Sequence, residues 1–137
     1  MTEIEIKNIV ATQRKYFRSG ATLSVGSRIA ALKSLKTAIK RHEAEIEAAL
    51  KSDLGKSRTE GFMCEIGLVQ SDLSYILKHI KRYAKEKTVH TPLVQFPSRS
   101  YRKPCPYGVV LIMSPWNYPF LLTMDPLIDA LAAGNTV

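Results

Sequence analysis

Asn117 is the residue whose type and position are best suited to chemistry. It lies four residues beyond Met113, the end of a continuous apolar run that begins at Gly108. In open α/β sheets, ligands bind beyond the carboxyl ends of the strands, and Pro115 and Pro119 restrict the backbone on both sides of this position. A side-chain amide held in this way could stabilise negative charge on a carbonyl oxygen, as an oxyanion hole does. The alternative is a turn asparagine that bonds its own backbone, and the spacing alone leaves both open.

Other reactive or aromatic side chains carry weaker signals. Trp116 is the only tryptophan, and it could pack against a flat ligand or fill the core between sheet and helix. No G-x-G-x-x-G fingerprint of dinucleotide binding is present. Cys105 has no His or acid nearby in sequence and precedes the apolar run, so we do not expect it to be a nucleophile. Cys64 is expected in the core. No metal site is predicted from the spacing of the histidines, which are His42, His79 and His90.

The basic residues form the second candidate surface. The chain carries 20 Lys and Arg against 12 Asp and Glu, a formal charge of +8, and no Lys or Arg follows Lys103. One cluster comprises Lys78, Lys81, Arg82, Lys85 and Lys87. Such a cluster could contact nucleic-acid phosphates. Because no stacking aromatic platform or known motif accompanies it, we interpret it as a solvated helix face. The alternative function is a stand-alone basic helical interaction module that binds nucleic acid.

Long amphipathic helices must carry these residues. Apolar side chains recur every three or four positions in three segments, which predicts helices over residues 3–19, 28–54 and 58–87. Ser24 or Ser27 can cap the second helix, and Gly20 and Gly55 stand where helices stop. A short loop joins the second and third helices, which predicts an antiparallel pair.

The pattern changes after Lys87. Two short extended pieces, Leu93–Phe96 and Arg99–Arg102, are predicted around a Pro-Ser turn, as a hairpin or a crossing arm. The apolar run 108–113 is typical of a strand that is covered on both faces. A turn, a helix over Phe120–Ala133 and the start of another strand follow. The predicted fold class is therefore α/β, with one βα unit of a doubly wound sheet.

Two blocks of the sequence resemble the aldehyde dehydrogenase superfamily. The first, Pro106 to Phe120, reads P-Y-G-V-V-L-I-M-S-P-W-N-Y-P-F, and the second, Ala130 to Val137, reads A-L-A-A-G-N-T-V. The family pattern is P-x-G-V-V-x-x-I-x-P-W-N-[YF]-P followed by A-L-A-A-G-N-x-V at the same separation. The paired helices and the Asp53-Leu54-Gly55-Lys56 step are also similar to the family. The Tyr-Pro pair after Asn117 resembles its class-3-like branch.

This resemblance implies an enzyme that oxidises aldehydes to carboxylates with NAD or NADP. In the family, an Asn at the position of Asn117 holds the oxyanion together with a backbone N–H of the catalytic Cys. The resemblance also implies a cofactor cleft lined by Ile112, Met113, Ser114 and Trp116.

The resemblance also implies what this chain lacks. The sequence stops at Val137, before the family's V-L-K-P-S-E segment, whose Lys and Glu hold the cofactor ribose. The catalytic Cys and the general-base Glu lie further on in the family, and Cys105 does not match the nucleophile. We therefore expect an amino-terminal piece of an aldehyde dehydrogenase that has no dehydrogenase activity by itself.

The expected organisation has three parts. Residues 1–90 form the long amphipathic helices, residues 91–104 an extended arm that serves oligomerisation in the family, and residues 105–137 the first strand-turn-helix of an incomplete NAD(P)-binding domain. The expected partners are a small aldehyde and further copies of the chain, with no nucleic acid and no membrane. An acidic, polar start and two widely separated cysteines favour a cytoplasmic location.

Overall fold

The computed structural model describes residues 1–137, which form a mostly helical structure with one small sheet. The elements, in chain order, are α1 (Glu3–Arg18), α2 (Val25–Arg41), α3 (Glu43–Leu54), α4 (Arg58–Gly61), a π-helical segment (Phe62–Ile66), α5 (Gly67–Tyr83), β1 (Lys87–Val89), a 3-10 turn (Leu93–Gln95), β2 (Ser100–Arg102) and α6 (Leu121–Ala133).

The first predicted helix is confirmed. Thr2 and Glu5 form a capping box at the start of α1, and Gly20 adopts a φ of 78° just beyond its end. No residue of α1 is fully buried. The helix is attached to the end of the chain through the Gln13 side chain, which donates to the carbonyl oxygen of Val137.

The prediction of one continuous second helix is wrong, because the helix is interrupted at His42. Ser24 caps α2 by accepting from the Ser27 N–H at 3.0 Å, and Gly55 ends α3 with a φ of 67°. The sequence around His42 contains neither Pro nor Gly. The two halves have different packing partners, since α2 packs on α5 and α6 whereas α3 packs on α4. The break therefore coincides with a change of packing partner, which the spacing of apolar residues in the sequence does not reveal.

The third predicted helix is helical from Arg58 to Tyr83 but not uniformly α-helical. Residues 62–66 are π-helical, and α5 ends at Tyr83, before the predicted limit of Lys87. The hydrophobic core is formed mainly by α2 and α5, with one residue each from α3, the π-helical segment and α6. Its nine members are Leu32, Ile39, Leu50, Ile66, Val69, Leu73, Ile76, Ile80 and Ile128.

The segment forms a hairpin, one of the two predicted alternatives, and the predicted extended piece at Arg99–Arg102 contains strand β2. Strand β1 pairs antiparallel with β2, with Thr88 opposite Tyr101, so the hairpin begins upstream of the expected range 91–104. The predicted extended piece at Leu93–Phe96 is wrong, because Leu93–Gln95 forms a 3-10 turn. The turn starts at Pro92, whose carbonyl oxygen accepts from the Gln95 N–H at 2.9 Å. The mostly apolar segment Leu93–Phe96 is short and follows a proline, so its sequence is compatible with a turn as well as with a strand.

The predicted strand over residues 108–113 is reduced to one parallel bridge, between Val109 and Thr136. The Val110 N–H donates to Thr136 at 2.8 Å, and the Thr136 N–H donates to Gly108 at 2.9 Å. A strand is defined by its pairing, and only the segment around Thr136 pairs with this run. The remainder is open, with Leu111 79% and Met113 86% exposed. The helix that follows is confirmed as α6, which ends at Gly134 with a φ of 95°.

No helix has the length and apolar character needed to cross a membrane.

Three carboxylates lie along the packed helices α5 and α6, which predicts a pH-dependent stability. Burial raises the pKa of Asp125, and the negative charges of Asp72 and Asp129 raise it further. Burial, followed by the charge of Asp129, raises the pKa of Asp72 as well. A carboxyl whose pKa is raised by folding stabilises the folded state at low pH, and that contribution is lost as the pH rises through the folded-state pKa.

We therefore expect Asp125→Asn to raise the melting temperature at pH 7, where the wild-type carboxylate is charged. The gain should become smaller below about pH 4, where the carboxyl is protonated in both states. Thermal unfolding followed by circular dichroism at both pH values measures the difference. Glu60→Gln, at an exposed carboxylate, is the matched control. An equal shift for Asp125→Asn at both pH values would contradict the electrostatic explanation.

Candidate functional site

A buried ion pair lies behind the turn that carries Asn117. Lys56 follows the left-handed Gly55 at the end of α3, and Glu65 lies in the π-helical segment. The Lys56 Nζ is 2.5 Å from Glu65 Oε1, and the two residues are only 7% and 0% exposed. Two charges removed from water need each other and further hydrogen bonds to be tolerated.

Lys56 makes its further contacts with the turn itself. Its Nζ donates to the main-chain carbonyl oxygen of Asn117 at 3.2 Å. The same ammonium lies 3.9 Å from the ring centroid of Tyr118, in a cation–π arrangement. Lys56 therefore contacts two successive residues of the turn.

Glu65 makes its further contacts with the start of α6. Its Oε2 accepts from the Phe120 N–H at 2.8 Å and from the Leu121 N–H at 3.2 Å. Helix α6 has no capping side chain of its own, so a carboxylate from another helix takes that role at the positive end of the helix dipole. Because these N–H groups are occupied, they are not free to bind a phosphate group.

The π-helical segment that carries Glu65 ends at a glycine. The Gly67 N–H donates to the carbonyl oxygen of Phe62, five residues earlier, which inserts one extra residue into the helical turn. A Cβ at position 67 would lie 2.9 Å from that same oxygen. Glycine at position 67 is therefore needed for the close turn that precedes α5.

The Asn117 side chain is exposed and makes no hydrogen bond within the protein. The turn asparagine that bonds its own backbone, which the sequence left open, is not observed. The structure fixes the main chain of Asn117 through Lys56 and leaves the amide group available. This arrangement can present an N–H donor at a defined place.

The four residues expected to line a cofactor cleft surround the same turn. Ile112 is half-buried, whereas Met113, Ser114 and Trp116 are exposed. Trp116 is 81% exposed, so it does not fill the core between sheet and helix. The Ser114 hydroxyl is hydrogen-bonded at 2.6 Å to that of Thr123, a residue of α6. The group offers a flat aromatic surface, apolar side chains and one hydroxyl.

The end of α6 is attached to the apolar run by another buried polar residue, Asn135. Asn135 accepts from the Gly108 N–H at 2.9 Å and donates to the carbonyl oxygen of Ala130 at 3.1 Å. Arg28 packs so closely against Gly134 that a Cβ there would lie 2.7 Å from the guanidinium carbon. The Arg28 guanidinium also donates to the Ala132 carbonyl oxygen at 3.3 Å, near the end of α6. Both ends of α6 are therefore held by side chains from elsewhere in the chain.

The other candidates from the sequence form no hydrogen bond with this turn. Cys64 is half-buried and Cys105 is exposed, and both are free thiols. No group of three or more His, Cys, Asp or Glu side chains is placed to hold a metal ion. The members of the basic cluster, which are Lys78, Lys81, Arg82, Lys85 and Lys87, are all exposed.

Sequence reasoning did not single out Lys56 and Glu65 as parts of a site. One signal was present, because Glu65 lies four and eight residues before Val69 and Leu73 and therefore shares the buried face of their helix. A carboxylate on such a face needs a partner. Nothing local identified that partner as Lys56, or linked either residue to Asn117.

The Aldehyde dehydrogenase family matches residues 1–137. A relative named 4,4'-diaponeurosporen-aldehyde dehydrogenase, from Staphylococcus aureus, is 45% identical over 123 residues, which cover 90% of this chain and 27% of that protein. A relative from Arabidopsis thaliana, aldehyde dehydrogenase family 3 member H1, is 40% identical over 133 residues, covering 97% of this chain and 28% of that protein.

Solved structures give the same result for the fold. A substrate-bound state of Staphylococcus aureus AldH superimposes with a TM-score of 0.91 at 43% identity, covering 99% of this chain and 29% of that one. Succinic semialdehyde dehydrogenase from Streptococcus pyogenes, in complex with NADP+, gives a TM-score of 0.84 at 19% identity, covering 98% and 29%. This chain thus spans less than a third of the length of these proteins.

Removing the Lys56 side chain should greatly lower the stability of the protein, and a second substitution at Glu65 should restore part of it. Lys56→Met leaves the Glu65 carboxylate buried without its counter-charge, so we expect a loss of about 3–5 kcal/mol in the free energy of unfolding. Adding Glu65→Gln removes the unpaired charge and should restore part of this loss. Urea denaturation measures both, with Lys33→Met, at an exposed lysine, as the control. A double variant less stable than Lys56→Met would contradict the ion-pair interpretation.

Proposed function

The chain belongs to the aldehyde dehydrogenase family, and we propose that it forms the amino-terminal part of an NAD(P)-dependent enzyme that oxidises an aldehyde to a carboxylate. The match to the family covers residues 1–137, and class-3 relatives cover 90–97% of the chain in the two cases described. The observation that carries the proposal is the turn at Asn117. Its main chain is held from behind by a buried ion pair, while its side-chain amide is free and exposed.

In this proposal Asn117 stabilises the oxyanion. When a nucleophile adds to an aldehyde, negative charge develops on the carbonyl oxygen, and a donor already in place needs no reorganisation at that moment. The exposed amide and the backbone fixed by Lys56 support this role. The nucleophile and the general base belong to the part of the family sequence that follows the region matched here.

The cofactor proposed is NAD or NADP, which supplies a nicotinamide ring as hydride acceptor when bound. The residues around the turn fit a ring better than a phosphate. Met113 and Trp116 present exposed apolar surface, and Ser114 presents a hydroxyl. The N–H groups at the start of α6, which could otherwise bind a phosphate, donate to Glu65. Ile112, Met113, Ser114 and Trp116 would therefore line the cleft near the ring, and the phosphates would be bound elsewhere.

The segment from residue 105 to 137 is proposed as the first strand-turn-helix of the cofactor-binding sheet. The parallel bridge between Val109 and Thr136 supports it, because parallel pairing across a connecting helix is the basic step of a doubly wound sheet. In this proposal the helices of residues 1–90 provide support. Residues 91–104, which include β2, provide an oligomerisation arm that pairs with β1 at the end of the first part. A cytoplasmic location is part of the same proposal.

We expect the 137-residue chain to produce no NADH or NADPH above background when it is mixed with aldehydes and either cofactor. The chain offers Asn117 but no nucleophile beside it, since Cys105 lies before the apolar run. Absorbance at the reduced nicotinamide band measures the product, with the S. aureus relative as positive control. Aldehyde-dependent cofactor reduction by the purified chain would refute this expectation.

Asn117→Ala tests the oxyanion role in a longer protein that carries this chain at its amino terminus. Loss of one oxyanion donor lowers kcat by about 10²–10³-fold. The KM for the aldehyde should change much less, because the interaction strengthens only as charge develops. Steady-state kinetics gives both constants, and Asn8→Ala, on the exposed face of α1, is the control. An unchanged kcat in Asn117→Ala would exclude the role.

We expect the 137-residue chain to self-associate. Leu93, Val94 and Phe96 on the hairpin are 83–91% exposed, and Leu111 and Met113 add apolar surface on an unpaired edge. Sedimentation velocity at increasing protein concentration measures the assembly. Replacing Leu93 and Val94 by Ser should shift the distribution toward monomer. A monodisperse wild-type monomer across the concentration range would contradict this expectation.

A further inference from the structure

Two side chains from the first half of the chain meet at the Asn117 turn. Lys56 and Asn117 are 61 positions apart, yet the ammonium of one donates to the carbonyl oxygen of the other. Glu65 binds the same ammonium and also holds the N–H groups of Phe120 and Leu121. The pair therefore contacts the Asn117 turn on both sides, at the residue itself and at the start of the helix that follows.

The Asn117 side chain has no hydrogen bond of its own to set its direction. The backbone therefore sets the direction in which the Asn117 Cα–Cβ bond leaves the chain, and Lys56 contacts that backbone directly. Pro115 and Pro119 restrict their own φ angles, but they cannot fix the position of the turn relative to the helices. Local contacts such as the Ser114–Thr123 hydrogen bond join the turn to α6, whereas the side chains of Lys56 and Glu65 join it to the helices that precede it in the chain.

We infer that Lys56 and Glu65 are positioning residues for Asn117, and that the ion pair holds the turn in the orientation that aims the Asn117 amide at the reacting carbonyl oxygen. The catalytic half of this inference rests on the proposed function. The structural half concerns only the turn and stands on the contacts of this chain. Neither Lys56 nor Glu65 touches the substrate in this scheme.

The energetic basis is preorganisation. A catalytic donor must be held within a fraction of an ångström of its productive position, and supporting contacts provide this precision. A buried charge is suited to the task, because it cannot exchange its partners for water without a large desolvation penalty. Lys56 joins two parts of the chain, because one of its partners is the Glu65 carboxylate of the π-helical segment and the other two, the Asn117 carbonyl oxygen and the Tyr118 ring, belong to the turn.

The first test uses the 137-residue chain and does not depend on catalysis. Trp116 is the only tryptophan and precedes Asn117 directly, so its fluorescence reports the state of the turn. In Lys56→Met, compared with the wild type at a concentration where both sediment as the same species, we expect a lower fluorescence anisotropy, with the helical circular dichroism retained. Lys33→Met should leave both signals unchanged. Wild-type anisotropy in folded Lys56→Met would overturn the inference.

If Lys56→Met does not fold, the double variant Lys56→Met with Glu65→Gln keeps the test decisive. It removes the donor to the Asn117 carbonyl oxygen without leaving a buried unpaired charge. The same loss of Trp116 anisotropy is expected in it. A double variant that folds with a wild-type Trp116 signal would show that the ion pair does not position the turn.

The second test is a kinetic double-mutant cycle in a longer protein that carries this chain. Lys56→Met should lower kcat by up to about 10²–10³-fold, the range for loss of the donor itself, with little change in the KM for the aldehyde. In the Asn117→Ala background, Lys56→Met should have no further effect on kcat, because it acts through the missing amide. An equal loss in both backgrounds would overturn the inference.

The two tests separate the possible failures. If Asn117→Ala leaves kcat unchanged, the proposed oxyanion role fails, while the Trp116 signal still decides whether the ion pair positions the turn. If Asn117→Ala lowers kcat but Lys56→Met does not, the oxyanion role stands and the positioning role is refuted.

Discussion

The contact between Lys56 and Glu65 is the interaction on which the arrangement of this protein depends. Neither charge could remain in the interior alone, since an unpaired buried charge costs several kcal/mol. Each uses its remaining hydrogen-bonding capacity on the main chain of the Asn117 turn or on the start of α6. This buried polar contact thereby joins the amino-terminal helices to the Asn117 turn and to the start of α6.

The rest of the structure has two parts, a packed half that consists of the helices around the core and an open half that consists of the apolar run and the hairpin. Helices α2, α5 and α6 enclose the hydrophobic core, and helices of this kind satisfy their backbone hydrogen bonds internally. The apolar run 108–113 has no such possibility, because a strand needs neighbours, and only Thr136 pairs with it. Its exposed side chains, with those of the hairpin, give the chain the apolar surface that favours association. The Asn117 turn lies at the boundary of the two halves, attached to the packed one and exposed on the open one.

The sequence correctly predicted helix ends that depend on neighbouring residues, and it missed features that depend on residues far away in the chain. Ser24 caps α2, and Gly55 and Gly134 end helices with left-handed backbones, because capping is decided within three or four residues. The interruption at His42 and the π-helical segment were missed, since the apolar periodicity runs through both. The Leu93–Gln95 turn was missed because a short alternating run beside a proline fits both structures.

For the site, the sequence by itself determined the identity of the family, the turn and its asparagine, because a run of fifteen residues from Pro106 to Phe120 carries that pattern without reference to any other part of the chain. Only the tertiary structure decided that Lys56 and Glu65 hold this turn. Their role arises from a contact across 61 positions, formed where three helical elements meet. The physical reason is that desolvation, which makes the ion pair obligatory, exists only once the chain has folded around it.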